Sequence, residues 1–241
     1  SLNVTGLTNL QTLNCNNNAL TSLDVSTLTN LVTLACHYNQ LTALDVIGKA
    51  YLTSLNCSYN LITDLNFSNC TALLSAPSYG FNPISILNAS GCTAFTSFQS
   101  AYYYGGNIPT TLTNLNLTNC TGLTSIDIYG NTLLNTVQIT GCSALTSISC
   151  TGNTVLPSLN ASGFLNLTTL YCYSNPALTS LNVTGDTALT NLTCTNNALA
   201  SLNVTGLTNL QTLNCNNNAL TSLDVTGLTN LQTLNCNNNA L

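Results

Sequence analysis

Ser1–Val25, SLNVTGLTNLQTLNCNNNALTSLDV, returns letter for letter at Ser201–Val225. Between the two copies the same unit recurs with variations, clearest as Leu10-x-x-Leu13-x-Cys15-x-x-Asn18-x-Leu20. Following its asparagine along the chain gives Asn18, Asn39, Asn60, Asn82, Asn107, Asn131, Asn153, Asn175, Asn197, Asn218 and Asn239. Successive anchors lie 21 to 25 residues apart, and the two longest steps flank Asn107. A period of this length is the signature of a solenoid, whose coils bury their apolar sides only against neighbouring coils.

The unit also fixes the local structure. Leu13 and Cys15 alternate with Thr12 and Asn14, a period of two that sends Leu and Cys inward and Thr and Asn outward on a short strand. A second alternating segment follows each anchor, as in Leu2-Asn3-Val4-Thr5, Leu23-Asp24-Val25-Ser26 and Leu223-Asp224-Val225-Thr226, and the return path has no helical period. The expected fold is therefore an all-β-rich solenoid of about eleven turns. It has a parallel sheet on one face, short extended segments on the other, and little or no helix. Residues 1–241 form one array, with regular turns over 1–63 and 112–241 and irregular turns over 64–111. Within the irregular part, Ala76-Pro77-Ser78 distorts one unit and Ala101–Gly106 adds residues to the next.

The pattern LxxLxCxxNxL followed by LTSLDVTGLTN resembles the leucine-rich repeat, in the short form common in secreted surface proteins of Bacteroidetes bacteria. The resemblance runs the length of the chain. It implies a secreted or cell-surface module that binds or adheres without chemistry, and it does not name a ligand, because one fold hosts many functions.

Composition narrows the classes further. Charged residues make up 3% of the chain, against roughly 25% in average soluble proteins. With Lys49 its only Lys or Arg and a net charge of −5, the chain cannot build the basic surface that nucleic acid requires. No run approaches the roughly 18 apolar residues of a membrane span, so no membrane insertion is expected. The chain opens on Ser1 and contains no Met, as expected of a processed product or an excerpt of a longer array.

Twelve cysteines would ordinarily suggest disulfides. Here Cys15, Cys36, Cys57, Cys150, Cys172, Cys194, Cys215 and Cys236 all precede an anchor Asn by three residues, in an inward slot. Cys70, Cys92, Cys120 and Cys142 fill a second slot, which holds Leu7 and Leu28 in regular turns. Both read as core ladders of free thiols, since parallel side chains on rungs about 4.8 Å apart do not meet disulfide geometry. No CxxC or Cys/His cluster is present, so neither a metal nor another cofactor is expected. The remaining titratable residues are His37, Lys49 and six Asp. Asp24, Asp45 and Asp224 share a slot that carries Asn in most other turns, which makes them members of an amide ladder. Nothing converges on a catalytic centre, and an enzyme is not expected.

The anchors Asn18, Asn39, Asn60, Asn153, Asn175, Asn197, Asn218 and Asn239 read as a structural ladder, their amides serving backbone groups left unpaired where the strand ends. Binding residues are sought among outward aromatics near the strands: Tyr38, Tyr59, Tyr79, Tyr102, Tyr103, Tyr104, Tyr129, Tyr171 and Tyr173, with His37 as a further contact. Tyrosine is enriched at contact surfaces. These residues mark a face for an extracellular glycan or protein. An alternative places ice on the hydroxyl column that includes Thr12, Thr33, Thr169, Thr212 and Thr233. A further alternative is a structural stalk or filament segment with end-to-end self-association.

Overall fold

The computed structural model describes residues 2–100 and 111–241. Among these residues the chain is a parallel β-solenoid without helix. The LxxLxC face carries β1 (Thr12–Asn14), β2 (Thr33–Ala35), β4 (Ser54–Asn56), β7 (Ser97–Gln99), β9 (Ser125–Tyr129), β11 (Ser147–Thr151), β13 (Thr169–Tyr171), β15 (Asn191–Thr193), β16 (Thr212–Asn214) and β17 (Thr233–Asn235). The return side carries β3 (Leu44–Asp45), β5 (Asp64–Asn66), β6 (Ile86–Asn88), β8 (Asn114–Asn116), β10 (Thr136–Gln138), β12 (Ser158–Asn160) and β14 (Ser180–Asn182). Register follows the repeat. Leu13 lies opposite Leu34, Leu170 opposite Leu192, and Leu213 opposite Leu234, so each inward leucine meets its own counterpart one rung away.

The LxxLxC face is not one continuous sheet. β1, β2 and β4 form one sheet and β7 to β17 another. Between them Pro77 occupies the place of Leu13, and proline has no N–H to give to a ladder. Two single bridges remain, Asn56 with Ser78 and Ser75 with Ser97. The interruption is one-sided, since on the return side β3, β5, β6, β8 and β10 pair in sequence across the same turns.

A single hydrophobic core runs from Val4 to Leu228. All twelve cysteines are free, and only Cys236 is less than fully buried. In the second slot each thiol donates to a carbonyl of the preceding turn: Cys70 to Val46 at 3.1 Å, Cys92 to Phe67 at 3.3 Å, Cys120 to Ala89 at 3.2 Å and Cys142 to Leu117 at 3.1 Å. Burial pushes Cys70 and Cys215 up to about 11 and Cys36 and Cys92 up to about 12, which suppresses the reactive thiolate. Accordingly a thiol reagent should label the native chain at most near Cys236, and the denatured, unreduced chain at essentially all its cysteines. Finding most of them already paired after denaturation would refute the ladder.

The anchors tie the rungs together. Asn60 accepts the Leu41 N–H at 2.9 Å and donates to the carbonyls of Cys36 and Cys57, both at 3.0 Å. From Asn131 to Asn175 the receiving geometry shifts: Asn153 accepts the N–H of Asn131 and Asn175 that of Asn153, so anchor bonds directly to anchor. Asn60, Asn153 and Asn175 are buried, Asn39, Asn197, Asn218 and Asn239 half-buried, and Asn18 exposed.

Among the described glycines, backbone of a neighbouring turn comes closest at Gly122. A Cβ there would lie 2.4 Å from the Thr93 carbonyl oxygen and 3.1 Å from that of Phe95. The obstacle is backbone, which cannot swing aside. Gly122→Ala should therefore cost about 1–3 kcal/mol as an overpacking defect, measured by denaturant unfolding.

Candidate functional site

The residue before each anchor turns the chain out of the strand, and in every described turn its φ is positive. Asn17, Asn196, Asn217 and Asn238 do this at 55°, 57°, 56° and 56°, with Gly130 and Gly152 at 70° and 69°. Asparagine and glycine enter the left-handed region at little cost. One turn uses Ser174 at 58°, and three consecutive turns carry large rings there, Tyr38, Tyr59 and Phe81, at 52°, 54° and 57°. Left-handed backbone costs an ordinary L-residue roughly 1–2 kcal/mol. Such outliers concentrate where function requires them.

The three rings form a column. Tyr38 and Tyr59 stack with centroids 4.2 Å apart at 13°, and Tyr59 and Phe81 at 4.0 Å and 12°. His37 meets Tyr38 edge-on at 5.7 Å. The column stands at the surface, with Tyr38, Tyr59 and Phe81 exposed by 48%, 37% and 44%. The neighbouring Tyr38 hydroxyl pushes the Tyr59 phenol up. Both faces of Tyr59 and one face each of Tyr38 and Phe81 are thus covered by other rings, and the column presents its ring edges as a ridge. Next to this ridge, on the strands, lie the small residues Ala35 and Ser78, with Asn56 between them in register.

The other candidate residues do not join this column. Tyr129, Tyr171 and Tyr173 are exposed but do not share the column's place: Tyr129 and Tyr173 stand two residues before their anchors and Tyr171 four, and Tyr129 lies over Gly152, where a Cβ would be 3.6 Å from its Cε2. Tyr79 corrects the expectation of an outward ring. It packs against the core, burial pushes its phenol well up, and it lines a cavity of about 70 Å³ with Pro77, Ile84 and Leu112. Tyr79 lies three residues before Asn82, in the inward slot that Cys57 fills one turn earlier, and its ring borders that space. Ligand sites for small molecules are typically about 300–1,000 Å³, far larger than this void. His37 is half-buried, and its Nδ1 is buried without a partner. Tyr102, Tyr103 and Tyr104 lie outside the described residues.

Phe81 is the member of the site that the sequence reading passed over. Aligning every turn on its anchor, rather than collecting aromatics near the strands, would have placed it beside Tyr38 and Tyr59. The hydroxyl column is also present: Thr12 pairs with Thr33 and Thr212 with Thr233, while Thr169 stands between Ser147 and Asn191.

The electrostatics are one-sided. Lys49 is buried, and its ammonium donates to the Ser26 carbonyl at 2.8 Å. Asp24, Asp45, Asp64 and Asp224 are exposed. The hydroxyl and amide of Ser26 hold Asp24 below its usual value, as those of Thr226 do for Asp224. The surface therefore offers carboxylates and amides with no Lys or Arg. Among the described residues no group of three His, Cys, Asp or Glu could hold a metal ion, and no helix is long and apolar enough to cross a membrane.

The family profile described as Leucine Rich repeats (2 copies) matches residues 8–49 and 208–241. No curated protein matches the chain by sequence. Among solved structures, the chain is similar to the functional domain of InlJ from Listeria monocytogenes, described as including a cysteine ladder. Identity is 28%, coverage 99% of this chain and 60% of that one, and the TM-score 0.39. It is also similar to the internalin inlF of the same organism, at 22% identity, 97% and 82% coverage and a TM-score of 0.36. A leucine-rich repeat protein of Leptospira interrogans is similar at 23% identity, 97% and 80% coverage and a TM-score of 0.30.

Proposed function

We propose that this chain, built throughout of leucine-rich repeats, is a non-catalytic protein-binding module of a secreted or cell-surface protein, gripping its partner through the Tyr38–Tyr59–Phe81 ridge. The observation that carries the reading is the three bulky rings held at positive φ in consecutive turns, where the other described turns carry the small residues Asn, Gly or Ser. A protein partner is favoured over a glycan because both faces of the central Tyr59 are taken by its neighbours, and among the described residues only the outer faces of Tyr38 and Phe81 are left without a stacked ring. Edges and hydroxyls beside a lane of small residues suit the side chains of a protein surface. The partner's contact surface is apolar and neutral or basic, since nothing on this chain's surface answers an acidic one except His37.

The test is selection of a displayed peptide library on the chain, with a glycan array in parallel. Selected peptides should be apolar and neutral to basic, and should lose retention on Tyr59→Asn but not on Tyr129→Asn. Glycan binding that survives Tyr59→Asn, with no peptide dependent on that ring, would overturn the proposal.

A further inference from the structure

Asp186 stands in the same inward column as Cys70, Cys92, Cys120 and Cys142, fully buried. Its Oδ1 accepts the Phe164 N–H at 2.8 Å, while Oδ2 is buried and has no partner. The Phe164 bond has a consequence one residue layer away. In other turns the amide at this slot bonds the carbonyl three residues earlier, as Cys92 does to Ala89 at 3.2 Å and Cys142 to Ile139 at 3.3 Å. Phe164 gives its amide to Asp186 instead, so the Ala161 carbonyl lacks the N–H that its counterparts receive.

The cysteine ladder indicates what takes its place. Each thiol of this column donates to a carbonyl of the preceding turn, and Cys142 reaches Leu117 twenty-five residues back. The same register carries Asp186 to Ala161. We propose that Asp186 is held in the core as the neutral acid, its Oδ2–H donated to the Ala161 carbonyl, forming a proton-dependent latch between adjacent turns. An ionised carboxylate at that place would set an unpaired negative charge against a carbonyl oxygen. The proton resolves both orphaned groups.

Burial pushes the Asp186 carboxyl up to about 7 from 3.8, against the opposing amides of Phe164 and Gly163. Phe164 and Leu207 flank it in the column, and among the described residues no charged side chain acts on it. Lys49 lies in the same column but several turns away, bonded to Ser26. The folded state thus keeps a proton that the unfolded chain releases near its ordinary value. Stability is greatest at the acid end of this window and is lost as pH rises through about 7.

The experiment is thermal unfolding between about pH 5 and pH 8, together with infrared spectroscopy of the folded protein. The melting temperature should fall by several degrees across that range, whereas Asp186→Asn, whose amide keeps both bonds without a proton, should be nearly flat and the more stable of the two at the upper end. The wild type should also carry a protonated-carboxyl stretching band at mildly acid pH that fades as pH rises. A wild-type melting temperature that is flat or rising, an equal slope in Asp186→Asn, or absence of that band would each overturn the proposal. The infrared reading stands even if the variant fails to fold.

Discussion

Replacing Asn175 with alanine should destabilise the chain by about 2–4 kcal/mol. Its Oδ1 accepts the Asn153 N–H at 2.8 Å and its Nδ2 donates to the Cys150 carbonyl at 2.9 Å, all of it buried. Truncation leaves a donor and an acceptor of the neighbouring turn without partners in a place water does not reach. Because Asn153 is itself an anchor, bonded in turn to the Asn131 N–H, the defect falls within a chain of linked amides. The exposed Asn237→Ala, whose side chain holds no such bond, is the control and should change stability by less than about 0.5 kcal/mol. Equal shifts in denaturant midpoint for the two would show that the anchors do not hold the turns together.

Asn17 is not an equivalent control, although it too is an exposed asparagine. Its φ of 55° makes alanine costly there by about 1 kcal/mol, through backbone strain rather than lost hydrogen bonds. That difference marks the boundary of what the sequence reveals. The solenoid, the inward columns of Leu and Cys and the anchor asparagines follow from spacing alone, because each coil has only one way to bury its apolar positions against identical neighbours. Which residue takes the left-handed turn does not follow from hydrophobic period, since Asn, Gly, Ser, Tyr and Phe all occupy that place. Tyr79 misleads for a related reason. It stands three residues before Asn82, in the inward slot that Cys57 fills one turn earlier, so alignment on the anchor, and not proximity to the strand, places the ring inside. Asp186 reads as one of six similar carboxylates, and only its column places it among buried thiols.

Exchanging Tyr59 for asparagine should separate folding from binding at the ridge. Tyr59 is the central ring, stacked on Tyr38 at 4.2 Å and on Phe81 at 4.0 Å. Its removal forfeits both contacts, each worth roughly 0.5–1.5 kcal/mol. Asparagine is also the residue that other turns use at this φ, so the variant recovers roughly 1–2 kcal/mol of backbone strain. The two effects oppose each other, and net stability should move by no more than about 1 kcal/mol in either direction. Binding has no such compensation. Loss of a central aromatic anchor commonly costs 2 kcal/mol or more, so affinity for a ridge-bound partner should fall by roughly 30-fold or beyond. Tyr59→Phe keeps the ring and the strain but loses the hydroxyl, and should retain most of the affinity if packing dominates the contact. Tyr129→Asn, on a ring outside the column, should leave binding unchanged. If Tyr59→Asn instead destabilised the chain severely while sparing the interaction, the ridge would be a structural strut between turns, and its strained backbone would have to be explained by folding alone.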